Sequence, residues 1–149
     1  MLVKKTQTHS IGGALKHSEK LEVRVACCAQ DWRLARSALF EEHGLGAGAE
    51  AGDRLCQLVY AEDTLVAVLV WCAAALHLKD RDQWVGWDAV TRAQRLKLVV
   101  QNRRFLVLEA TRRPNLASQC LGAALRALVA QWEQEHGYRP LLAEPSGAR

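Results

Sequence analysis

Long apolar runs are missing from this chain. The most extended, Leu65 to Ala75, covers about eleven positions, whereas a helix needs about twenty apolar residues to cross a bilayer. That length suits a buried strand running into a loop, and no membrane partner is expected. No apolar segment follows Lys4 and Lys5 either, which excludes a signal peptide. Metal-ligand spacing is also absent. The five cysteines (Cys27, Cys28, Cys56, Cys72 and Cys120) are odd in number, form no CxxC pair and sit in apolar surroundings. A reduced, cytoplasmic setting follows, with most thiols acting as small core residues. His77 and Asp80 are close in sequence, but no second His or Cys completes a set. His43 and His136 fall near helix C-termini, where a cation is favoured anyway. No metal is therefore expected. There is no nucleophile elbow, phosphate-binding glycine loop or zinc ribbon. Asp80, Asp82, Asp88 and Glu109 show no spacing that two-metal nuclease chemistry would require.

What is present is a chain of 149 residues, half of them apolar and 24% charged, enough for one self-sufficient domain. A net charge of +4 is too small to imply nucleic acid by itself, so the distribution of charge matters more. Residues 1–20 read as a flexible leader and 21–144 as a single domain. Leu21 to Ala26 alternates as a strand. Asp31 is placed to cap a helix over DWRLARSALFEEH, with Trp32, Ala35, Leu39 and Phe40 inward. Gly44 ends it, and a Gly/Ala loop runs to Gly52. RLCQLVYA and LVAVLVW, separated by Glu62-Asp63-Thr64, read as a hairpin. Lys79 to Trp87 reads as a charged, aromatic loop. Asp88 caps a second helix to about Asn102, with Val90, Leu96, Val99 and Val100 buried. Phe105 to Leu108 is a short strand. Residues 111–115 form a loop, and Asn115 caps the longest helix, which Gly137 stops. Tyr138 to Ala143 is the last strand. The expected class is α/β (α+β): a mixed sheet with helices on its faces.

The string RDQWVGWDAVTRAQRLKLVVQNRRFLVL, followed by RRPNLASQCLGAALRAL and GYRPLLAE, resembles the A-subunit family of the Druantia anti-phage system, a former domain of unknown function also found with insertion-sequence transposases. The likeness covers roughly Arg54 to Glu144. Such members continue past the position of Glu144, whereas here a divergent tail, 145–149, follows. The resemblance therefore implies a C-terminally truncated copy, possible relic of a mobile element, whose unclosed sheet edge could pair two copies. It implies an accessory domain that is not catalytic alone and works with DNA and with a transposase or defence-system protein. The order of elements also looks like the front of the N-acetyltransferase fold. That likeness implies an alternative, an acyl-CoA-dependent N-acyltransferase. Acetyl-CoA or another acyl-CoA is a cofactor only under this alternative, and none is expected otherwise.

The candidate DNA-binding residues are Arg81, Trp84, Trp87, Arg92, Arg95, Arg103, Arg104, Arg112 and Arg113. Tryptophan can stack on bases while arginine neutralises phosphate. Arg92 and Arg95, three apart, would share a helical face. The competing reading makes the tryptophans structural and pairs Arg81 with an acid. Under the acyl-CoA alternative, Arg112, Arg113, Asn115, Leu116 and Ser118 would hold a pyrophosphate at a helix N-terminus. That turn has no glycine, and Pro114 removes one donor. Asn102 and Asn115 are equally explained as helix caps.

Overall fold

A computed structural model of the chain describes residues 19–44, 52–75 and 78–145. The leader up to residue 18, most of the Gly/Ala loop, His77 and the tail beyond Pro145 lie outside the described residues.

β1 (Leu21–Val25) alternates half-buried apolar residues with exposed Glu22 and Arg24. α1 (Ala29–His43) starts two residues before the expected cap. Cys28 holds the N-cap position in extended backbone. Asp31, now inside the first turn, reaches back to accept the Cys27 N–H at 3.1 Å. That bond satisfies a donor the helix cannot, as the acidic half of a capping box does, and it holds the Asp31 carboxyl below its ordinary range. Ala35, Ala38 and Leu39 are buried, and Trp32 is half-buried against them. Phe40, expected inside, is 70% exposed. It lies ~100° round the helix from Leu39, clear of the sheet. Gly44, at φ 67, closes the helix with its N–H on the Phe40 carbonyl.

β2 (Arg54–Ala61) and β3 (Thr64–Ala73) form the expected hairpin, joined by Glu62 and Asp63. The next segment departs from the sequence reading. Lys79 to Trp87 is not a loop: α2 (Lys79–Val85) occupies most of it. Asp80 and Asp82 in its first turn suit the helix dipole, and Gly86 at φ 73 ends it. Ion pairs rather than an apolar stripe hold this helix, so it carries little periodicity. α3 (Ala89–Arg95) is capped as expected, Asp88 accepting the Thr91 N–H at 2.7 Å. It stops seven residues short of Asn102, with one tight turn at Leu96–Leu98 and then β4 (Val99–Val107). Val99 and Val100 are buried, but in the sheet, where β-branched residues pack well. Val90 is 66% exposed instead of buried.

After a turn at Glu109–Thr111 comes α4 (Leu116–His136), ended by Gly137 at φ 79 as expected. β5 (Leu142–Pro145) starts four residues later than expected. The five strands form one mixed sheet in the order β1-β2-β3-β4-β5. Neighbours are antiparallel except β4 and β5, which are parallel.

Each face of the sheet carries one core. On one side Leu55, Leu69, Trp71 and Val100 meet Leu116, Cys120, Ala124, Leu128 and Trp132, which recur every fourth residue along α4. On the other, α1 covers Cys56, Leu58, Val68, Val70 and Leu106. The small Cys120 and Ala124 let α4 approach closely. Buried Gln57 can therefore donate to the Ala124 carbonyl at 3.0 Å while accepting the Trp71 Nε1–H at 2.7 Å. Burial pushes the thiols of Cys56 and Cys120 up to about 12 and about 11. Most of the thiols were expected in the core; Cys56 and Cys120 are there, Cys72 is half-buried, and Cys27 and Cys28 are exposed because they precede α1 at the surface.

Candidate functional site

β4 and β5 pair only from Val99 with Leu142 to Asn102 with Pro145. Beyond Asn102, β4 runs on to Val107 with no ladder partner on that side among the described residues. The chain then turns through Glu109–Thr111, where the Thr111 hydroxyl donates to the Leu108 carbonyl at 2.9 Å, and enters α4. Phe105, Leu106, Val107, Arg112, Arg113, Leu116 and Ala117 line a groove there of about 560 Å³.

The groove is apolar along its strand wall and cationic at its helix end. Asn115 occupies the N-cap position with φ 65 and no side-chain bond, so it serves as a left-handed turn residue, not as the expected side-chain cap. Asparagine tolerates that conformation better than most residues, and here it does the work of the glycine the turn lacks. The N–H groups of Ala117 and Ser118 have no backbone acceptor among the described residues. This is normal for the first turn of a helix and attractive to an anion. Arg113 Nη1 pairs with Glu19 at 3.1 Å, while its Nη2 is buried without a partner among the described residues. Arg112 pairs with Glu109 at 3.2 Å, both largely exposed. Leu116 is buried and Ser118 exposed.

The nine basic and aromatic residues grouped from sequence are not brought to one surface. Arg81 is only 5% exposed, with its guanidinium on Asp82 at 3.1 Å and on Glu144 at 3.1 Å. It is a buried latch between α2 and β5, leaving no open face for a phosphate. Arg92 turns inward to the same Asp82 at 2.9 Å, while Arg95 is exposed, so the two do not project together. Burial alone would raise the Asp82 carboxyl, but Arg81 and Arg92 outweigh it and hold the group below its ordinary value. Trp84 is 80% exposed and Trp87 half-buried. Arg103 and Arg104 lie within β4, and Arg112 and Arg113 lie at the groove. Asn102, expected at a helix end, is mid-strand. Its amide donates to the Arg104 carbonyl at 3.1 Å and to that of Val70 at 3.4 Å, bracing a β-bulge. No group of three or more His, Cys, Asp or Glu that could hold a metal occurs among the described residues. No helix among them is long and apolar enough to cross a membrane.

A family model described as Druantia protein DruA matches residues 5–147. The chain belongs to the DruA family. The match reaches further toward the N-terminus than the words between Arg54 and Glu144 that first carried the resemblance. No curated protein matches. Among solved structures, aminoglycoside N-acetyltransferase AAC(6')-Iy in complex with CoA is similar, with a TM-score of 0.52 and 14% identity, covering 87% of this chain and 78% of that one. The same enzyme with the bisubstrate analogue CoA-S-monomethyl-acetylneamine gives 0.51 at 13% identity, covering 87% and 80%. This DruA-family chain thus has an N-acetyltransferase-like fold; at such identity the likeness speaks of fold alone.

Arg36 and Arg54 escaped the sequence reading, which had Trp32 only as an inward residue of its helix, although the three form a cluster. The Arg54 Cζ lies 4.2 Å from the Trp32 ring centre and that of Arg36 lies 5.6 Å from it. Trp32 and Arg36 are one helical turn apart, a spacing the sequence did contain. The contact with Arg54 needed the fold.

Proposed function

We propose that this DruA-family chain is a component of an anti-phage defence system, and that it holds a nucleotide of the acyl-CoA class by its pyrophosphate in the groove between β4 and α4. Family membership supports the first part. The observation that carries the second is the buried Arg113 Nη2, on a groove-lining residue, which has no partner among the described residues. A buried guanidinium N–H without a partner is costly, and a phosphate oxygen satisfies it. The open N–H groups of Ala117 and Ser118 and the left-handed Asn115 fit the same ligand. The apolar wall of Phe105 and Val107 suits a pantetheine arm, and a CoA thioester would supply an activated acyl group. The proposal is confined to binding, because among the described residues none lining the groove is a carboxylate, histidine or thiol able to take a proton from an acceptor.

Thermal melts with CoA and acetyl-CoA test this. A ligand at one hundred times its dissociation constant stabilises the native state by ~2.7 kcal/mol, or ~5–10 °C in a domain of this size. R113A should lose most of that shift. No shift for the unaltered protein at millimolar CoA would overturn the reading.

DNA association, with a transposase or another defence-system protein as partner, is the second reading. It is favoured by Arg103 and Arg104, two adjacent cations that the bulge sets on the α1 side of the sheet. Salt-dependent binding of a DNA oligonucleotide that disappears in R103A/R104A supports it, and binding unaffected by that change removes it.

A further inference from the structure

Glycine inside a helix is unfavourable relative to alanine, because it gives up the most backbone freedom on folding. α4 nevertheless carries Gly122 in its interior. A Cβ at that position would lie 3.3 Å from Arg126 Nη1, and its three nearest neighbours would all be guanidinium atoms of that arginine. The missing side chain is therefore room for a guanidinium folded back toward the helix N-terminus, the direction in which helical side chains lean.

Gly122 and Arg126 line a hollow of about 440 Å³ together with Glu19, Lys20, Ser118 and Gln119. The residues leading into β1 form one wall and the outer face of α4 the other. Lys20 and Arg126 have no ion-pair or hydrogen-bond partner among the described residues. The acids close to them are already engaged. Glu19 is held by Arg113 at 3.1 Å, and Glu22, whose carboxyl feels the charge of Lys20, is held by Arg24 at 2.9 Å. The hollow thus keeps two cations in reserve, with the hydroxyl of Ser118 and the amide of Gln119 as further donors.

This hollow and the groove beside β4 flank the first turn of α4 on opposite sides. Ala117 lines the groove and Ser118 the hollow, while Arg113 lines the groove and bonds Glu19 in the hollow. The two open N–H groups of the turn therefore lie between the two depressions. A helix backbone has a radius of only ~2.3 Å, so one ligand lying across the helix end can enter both. Gly122, beneath the Arg126 guanidinium, is one turn, ~5.4 Å, along the axis from Ser118.

We propose that the hollow binds the ribose 3′-phosphate of the acyl-CoA nucleotide. The proposal rests on the reading of the groove as its pyrophosphate and pantetheine site, and it adds what distinguishes CoA from other diphosphates. With the pyrophosphate on the first turn of α4, the ribose carries the 3′-phosphate over Ser118 toward Lys20 and Arg126. A phosphate monoester holds a charge of about −1.5 to −2 near neutral pH, which two cations match. A nucleotide lacking that phosphate would use the first turn and leave both cations unanswered.

The test is isothermal titration calorimetry of the full chain with CoA and with dephospho-CoA, at low and at high KCl. The unaltered protein should bind CoA at least tenfold more tightly than dephospho-CoA. The gap should narrow at high salt, because both cations are exposed and screened. K20A/R126A should bring CoA down to the level of dephospho-CoA and leave dephospho-CoA itself unchanged, which a general loss of structure would not do. No binding of either nucleotide overturns the groove reading and this proposal with it. Equal affinity for the two, or a preference that survives in K20A/R126A, overturns the 3′-phosphate site and leaves the groove reading standing. Binding of inorganic phosphate that is lost in K20A/R126A, without any preference for CoA, also overturns it, since a free anion is then the occupant.

Discussion

Replacing Glu144 with Gln should destabilise this protein far more than the usual surface-charge change. Glu144 is 9% exposed and Arg81 5%, so neither can recover its hydration when the other is altered. Removing one member of a buried pair typically costs about 3–5 kcal/mol, because the survivor stays buried. Arg81 keeps Asp82 at 3.1 Å, and the Gln amide oxygen can still accept its N–H. About 2 kcal/mol, below that range because a partner is retained, is therefore expected for E144Q. That corresponds to a fall in Tm of ~4–8 °C. The double variant R81M/E144L removes both charges and should return to within about 1 kcal/mol of the unaltered protein, since apolar replacements of a buried pair are often neutral. E133Q is the control. Its pair with Arg139 is exposed, and such pairs contribute ~0–1 kcal/mol. Urea unfolding followed by tryptophan fluorescence reads all three variants. An E144Q loss no larger than that of E133Q, or a double variant weaker than E144Q, would refute the claim that this pair latches α2 to β5.

Q57L should cost about 1–3 kcal/mol by stranding the Trp71 Nε1–H, and adding W71F should recover part of it; no recovery in urea unfolding would sink the network. In native protein, Cys27 and Cys28 should react with a thiol reagent at pH near 8 while buried Cys56 and Cys120 react only after unfolding, and fast native labelling of Cys120 would contradict the packing of α4. Asp82 titrates below its ordinary value when folded, so its ionised form stabilises the protein above the unfolded carboxyl pKa of about 3.9 and that contribution fades as pH falls through the lowered folded value. The Tm gap between unaltered protein and D82N should accordingly shrink between about pH 6 and about pH 3, and a constant gap would show that the Arg81 and Arg92 contacts do not act through the charge.

Sequence alone went furthest where one local interaction decides the outcome. The β2–β3 hairpin, the Asp88 cap, the stops at Gly44 and Gly137 and the buried stripe of α4 each depend on residues near one another in the chain. The uncommon words between Arg81 and Glu144 were enough to reach the family, and the order of elements pointed to the acetyltransferase-like fold. The tertiary structure decided the rest. Val99 and Val100 fit a helical spacing, but the slot between β3 and β5 made them strand. Lys79 to Trp87 became helix through Glu144, more than sixty positions away in sequence. The grouping of cations was least legible, because Arg81 and Arg92 went to a buried latch, Arg112 and Arg113 to a groove, and Arg103 and Arg104 to the α1 side of the sheet. A single bulge residue, Arg103, shifts every later side chain of β4 to the other face, and only the register against β3 determines where that extra residue falls.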